Sequence, residues 1–136
     1  MGSASELTTV DELLELARAT LVRVTPKEAM QAGQGGDLLV DIRPAEQRQQ
    51  TGLIPGAHVI ARNVLEWRLD PRSPDRDPAL GRTDCRLILI CDEGYQSTLA
   101  AATLRTFGLD ATDMIGGAQE WVRSGLPTQC AGDEGA

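Results

Sequence analysis

Two apolar stretches do most to limit what this chain can become. Leu38 to Ile42 is apolar except at Asp41, and Arg86 to Ile90 is apolar after its first residue. Neither alternates between apolar and polar, and a strand without that alternation is covered on both faces. Such strands belong to parallel sheets, whose connections must cross over through helices. The rest of the chain supplies them. From Thr9 to Ala19, Val10, Leu13, Leu14 and Ala17 recur at helical spacing, with Thr9 as N-cap and Asp11 and Glu12 in the first turn. A second helix opens at Thr25-Pro26-Lys27-Glu28, a capping box with proline at the first helical position, and Gly33, Gly35 and Gly36 end it.

The same reading places a strand at Leu21 to Val24, a helical turn or two at Pro44 to Gln50, and a strand at His58 to Ala61. It places a short helix at Val64 to Leu69 and an exposed connection from Asp70 to Asp84, which carries three prolines. After Ile90 come a polar loop, an alanine-rich helix from Ser97 to Phe107, a strand at Thr112 to Ile115 and a helix at Ala118 to Ser124. Alternating strands and helices predict an α/β fold with helices on both faces of a mostly parallel sheet.

The 136 residues fit one compact domain, and aromatics make up only 3%, so its core is built from Leu, Val, Ile and Ala. A net charge of −7 argues against nucleic acid or an anionic membrane as partner. No apolar run approaches a membrane span, and no leader resembles a secretion signal. Cys85, Cys91 and Cys130 form an odd set without paired spacing, which fits neither a disulfide framework nor a zinc site. A reducing, cytoplasmic setting with no metal or cofactor is the expectation.

Cys91 is the first residue past the strongest strand and stands just before a helix. Ligands of parallel sheets gather at the carboxyl ends of strands, where helix N-termini begin. Loop and first-turn N–H groups there lack intrahelical acceptors and can converge on an anion, which favours a nucleophilic thiolate. Gly94 permits a tight anion-holding turn, and Ser97 offers a further donor or a cap. Position alone leaves the alternative that Cys91 is a small buried hydrophobe.

The pattern around it is more specific. Val40-Asp41-Ile42-Arg43-Pro44, Gly52-Leu53-Ile54-Pro55-Gly56-Ala57, Leu89 to Ser97 and Gly116-Gly117-Ala118-Gln119-Glu120-Trp121 together resemble the rhodanese homology domain, in the family's order, from about Arg23 to about Pro127. The resemblance implies a rhodanese-like five-stranded parallel sheet with helices on both faces, spanning 21–128, after an N-terminal helical extension (1–20) and before a flexible tail (129–136). It implies Cys91 as catalytic residue and Asp92, Glu93, Gly94, Tyr95, Gln96 and Ser97 as the persulfide loop, with Asp41 and Arg43 as structural support. Arg62 and Trp67 are expected at the pocket rim. The activity implied is sulfurtransfer through a Cys91 persulfide, from a small-molecule or protein donor to a thiol acceptor, without a cofactor.

Three departures from the family pattern qualify this. Gln96 stands where many members have arginine, Asp92 and Glu93 where many have cations, and Leu53 where histidine is frequent. Two like charges 4 Å apart repel by roughly 4 kcal/mol at an effective dielectric of about 20, so thiosulfate is expected to be a poor donor. The alternative is a catalytically weak or inactive binding module that docks on a sulfur-metabolism enzyme such as a thiol dioxygenase. The N-terminal helix is then a docking or homodimer contact. A phosphatase needs arginine six positions after the cysteine; Ser97 is there instead. His58, Cys85 and Cys130 are read as incidental, and Trp121 as core.

Overall fold

The computed structural model describes residues 7–131. Among them, four parallel strands, β1 (Leu38–Asp41), β2 (His58–Val59), β3 (Arg86–Ile90) and β4 (Asp110–Asp113), lie in the order β2-β1-β3-β4. The helices are α1 (Val10–Arg18), α2 (Pro26–Gln34), α3 (Ala45–Thr51), α4 (Leu65–Leu69), α5 (Gln96–Arg105) and α6 (Gly117–Arg123). Asp41 pairs with Ile90, and Leu89 with Asp113, so β1, β3 and β4 end side by side.

The expected fifth strand is not formed. Leu21 to Val24 contributes one parallel bridge, Val24 to Met114. The segment is hemmed in on both sides: Leu21 N–H still donates to Arg18 at 3.1 Å, and Thr25 is already the N-cap of α2. Between these, the Val22 carbonyl takes the Thr112 hydroxyl at 2.8 Å, a side-chain donor. The third predicted strand shortens to His58–Val59, and the last begins earlier than predicted, at Asp110. The 70–84 connection is not wholly exposed either. Leu80 is 1% exposed and packs with Leu65 and Leu69 of α4.

Strand parity divides the core. Val40, Leu87, Leu89 and Ala111 face α4 and α5, joining Leu65, Leu69, Ala100, Ala101 and Leu104. Leu39, Ile88 and Ile90 point the other way, toward Ala29 of α2 and Ala118 and Trp121 of α6. Both faces are therefore helix-covered, as the non-alternating strands require. Trp121 is core, its indole N–H donating to the Pro127 carbonyl at 2.8 Å. Helix α1 lies against α5, its Ala17 buried while Val10, Leu13 and Leu16 are exposed.

Helices α1 and α2 both start with a complete capping box, Thr9 with Glu12 and Thr25 with Glu28. Backbone and then hydroxyl hydrogen bonds from these threonines hold both glutamate carboxyls below their ordinary range. Residues 1–6 of the expected extension and 132–136 of the expected tail lie outside the described residues, while Gln129 forms an antiparallel bridge with Leu53. No described helix is long and apolar enough to cross a membrane.

Candidate active site

Cys91 follows β3 with the parity of Leu87 and Leu89, and the residue is 5% exposed. It opens into a cleft of about 380 Å³. Ile42, Arg43 and Pro44 after β1, with Gln47 and Arg62, form one wall. Asp92, Glu93, Tyr95 and Gln96 form the other.

The loop turns back on the sulfur. Gly94 N–H donates to Cys91 Sγ at 3.0 Å. Gly94 has φ +91°, and a Cβ there would lie 2.7 Å from the backbone nitrogen of Gly116, so both conformation and space require glycine. The Gly94 carbonyl accepts from Arg23 at 3.0 Å and Arg18 at 3.3 Å, and Thr98 Oγ1 lies 3.1 Å from it. The start of the loop is pinned to α6: Ala118 N–H donates to Cys91 O at 2.8 Å and Gln119 N–H to Asp92 O at 3.1 Å. This approach is close enough that a Cβ on Gly117 would stand 2.5 Å from the Asp92 carbonyl.

Ser97 does not cap α5; Tyr95 occupies the N-cap without a side-chain bond. Instead Ser97 Oγ lies 3.2 Å from Cys91 Sγ and donates to Asp113 Oδ2 at 2.7 Å. Asp113, 0% exposed, is the last residue of β4. It also accepts from Thr98 at 2.8 Å and pairs with Arg23 at 2.8 and 3.1 Å. Neither Asp113 nor Arg23 was expected in the site. Their sequence signature is faint: Arg23 is one charge within the apolar Leu21 to Val24 segment, and Asp113 closes a strand that also carries Asp110 and Thr112.

The second buried pair is the expected Asp41 and Arg43. Arg43 gives Asp41 three side-chain contacts of 2.8–3.2 Å, and its backbone N–H adds another. The remaining guanidinium donors reach Gly52 O, Gln47 O and Thr51 Oγ1, closing α3 onto β1. Arg48 donates to the Arg43 carbonyl. This pair shapes the wall of the cleft from behind.

Of the expected rim, Arg62 lines the cleft and reaches Gln96 Oε1 at 3.2 Å while paired with Glu66 at 2.8 Å. Trp67 does not: it lines a separate depression with Asp70, Ser73 and Phe107. Asp92 is turned toward α6, where Gln119 Nε2 donates to it at 3.1 Å. Tyr95 is 57% exposed, with the Arg18 guanidinium 6.0 Å from its ring. His58 is exposed on β2 at the sheet edge, and all three cysteines are free. No group of three or more His, Cys, Asp or Glu side chains among the described residues is placed to hold a metal.

Comparison with protein families matches the rhodanese-like domain over residues 25–124. The chain belongs to the rhodanese-like domain family. A solved protein of unknown function from Rhodopseudomonas palustris, described as a possible tyrosine phosphatase, is 28% identical, with a TM-score of 0.82 over 90% of this chain and 95% of that one. A rhodanese homologue from Thermus thermophilus is also 28% identical, with a TM-score of 0.55 over 72% of this chain and 98% of its own. A probable thiosulfate sulfurtransferase is 28% identical as well, with a TM-score of 0.61 over 79% of this chain. The rhodanese-like chain spans about half of that protein, 47%. No curated protein matches it.

Proposed function

We propose that this rhodanese-like domain is a sulfurtransferase that carries sulfane sulfur as a persulfide on Cys91. The single observation that carries this reading is the Cys91 sulfur at the floor of an open cleft, held by the Gly94 N–H at 3.0 Å in the loop that enters α5. The kinship with a probable thiosulfate sulfurtransferase supports the reaction class. In the first half-reaction the Cys91 thiolate attacks the outer sulfur of a persulfide R–S–SH. A Cys91 S–S bond forms, the donor S–S bond breaks, and R–S⁻ leaves. In the second, an acceptor thiolate takes the outer sulfur and the Cys91 thiolate is restored. The division into two displacements lowers each barrier. The Gly94 N–H, directed at Cys91 Sγ, stabilises the negative charge that collects on that sulfur.

The donor is a persulfide rather than thiosulfate. Both arginines that line the cleft are already engaged, Arg43 by Asp41 and Arg62 by Glu66 and Gln96. Asp92 and Glu93 then leave the mouth acidic toward a dianion. The phosphatase description of the Rhodopseudomonas protein does not transfer, because the position that would clamp phosphate holds Ser97, whose hydroxyl is directed to Asp113.

A second reading, a docking module for a sulfur-metabolism enzyme, is favoured by one observation: Val10, Leu13 and Leu16 stand exposed along α1. Intact mass after treatment with several sulfane-sulfur donors separates the two. A one-sulfur gain in wild type that is absent from Cys91→Ser is expected, with thiosulfate the weakest donor unless Asp92→Ser/Glu93→Lys is introduced. No gain from any donor would replace the enzyme reading with the docking one.

A further inference from the structure

Two arginines line the cleft, and they are held to different degrees. Arg43 is fully buried, and its guanidinium nitrogens are all spent on Asp41, Gln47, Thr51 and Gly52. Arg62 is anchored at two points: Nη1 donates to Glu66 Oε1 at 2.8 Å, and Nε to Gln96 Oε1 at 3.2 Å. A guanidinium has five N–H donors, so part of this fork is unspent, and the side chain is 30% exposed. Of the two, Arg62 is the one that can still meet an anion entering the cleft.

The stronger of its two anchors stands outside the cleft. Glu66 lies one turn on, in α4, and borders the neighbouring depression with Trp67 and Phe107. The Gln96 contact is to a neutral amide, whereas the Glu66 contact is charge-assisted, which makes such a bond roughly twice as strong. A partly exposed ion pair of this kind adds little to stability. Its weight is in what it denies to others, because an oxyanion that takes the Arg62 fork must compete with a carboxylate already on it.

We propose that Glu66 is a positioning residue that sets the charge preference of the cleft: its carboxylate is a resident competitor for Arg62, so an oxyanion donor meets an occupied guanidinium. Asp92 and Glu93 oppose anions from the other wall through space, while Glu66 acts through one contact. The consequence for donor choice rests on the sulfurtransferase reading; the occupancy of Arg62 does not.

Inorganic sulfate has the charge and shape of thiosulfate without its sulfane sulfur, so it probes the fork without turnover. The measurement is the sulfate concentration that half-protects Cys91 from iodoacetamide, followed on its own peptide by mass spectrometry, with ionic strength held constant by sodium chloride. In Glu66→Gln, which keeps the size of the side chain but not its charge, that concentration falls roughly fivefold, the difference between a charge-assisted and a neutral hydrogen bond. Arg62→Met/Glu66→Gln is protected no better than Arg62→Met. No protection of Glu66→Gln, no difference from wild type, or an equal gain without Arg62 each overturns the proposal. With sulfur loading as readout, the half-saturating thiosulfate concentration falls in Glu66→Gln by more than the saturating rate changes. Cysteine persulfide, whose ammonium and carboxylate offset each other, responds less; an equal response to both donors overturns the role in donor choice. Absence of loading from every donor in wild type would sink the sulfurtransferase reading alone, since the sulfate measurement decides the occupancy of Arg62 independently.

Discussion

Two buried aspartates close neighbouring strands, and they are put to different uses. Asp41 at the end of β1 takes its countercharge from Arg43, two residues on, and every further contact of that guanidinium is to α3 or the turn after it. Asp113 at the end of β4 takes its countercharge from Arg23, ninety positions away, and spends its remaining capacity on Ser97 and Thr98 beneath the sulfur. One pair is local and shapes a wall. The other is long-range and touches the nucleophile through a single hydroxyl. The first set of contacts stays within one corner of the fold, while the second ties the start of α5 to β4 and to the segment before α2.

The largest effect that tests this contrast is Asp41→Ala. It strands a fully buried guanidinium, and removal of one partner from a buried pair costs about 3–5 kcal/mol. Urea unfolding should show that loss, with Cys91 loading falling only as the folded fraction falls. Arg23→Met should cost less, about 2 kcal/mol, because Arg23 is partly exposed and Asp113 keeps its two hydroxyl donors. Its loading rate in fully folded protein should nevertheless drop several-fold, since the Gly94 carbonyl loses a donor. If Asp41→Ala slows loading more than Arg23→Met at equal folded fraction, the division of labour is wrong.

The smallest effect comes from the caps that bracket Arg23. The folded-state carboxyls of Glu12 and Glu28 lie below the ordinary value of 4.5, so their contribution is complete above that value. It is lost as pH falls through the lower folded-state value. Urea midpoints of Glu12→Gln/Glu28→Gln and wild type should therefore differ slightly at pH 7 and converge in acid; a gap that widens in acid would reverse the sign.

What the sequence could reveal follows the same line between local and distant. Capping at Thr25, β3 to the residue, and the place of Cys91 were legible because strand patterning and helix caps are written in adjacent residues. The Asp41–Arg43 pair was legible through its motif. Asp113 was not, because the charge that neutralises it lies in a segment that looked like an apolar strand, and Leu80 was not, because proline-rich surroundings masked one anchoring side chain. Leu21 to Val24 has strand composition, but between α1 and α2 it makes only the one bridge to Met114.

The crowded Gly94 carbonyl has a consequence for where this unit can be cut. The family match begins at residue 25, and Arg18 and Arg23 both precede it. A fragment or fusion trimmed to the recognisable domain would keep the nucleophile, its loop and every signature, yet lose both guanidinium groups that hold that loop from behind. The boundary of the family match and the boundary of the loop's hydrogen-bond support do not coincide.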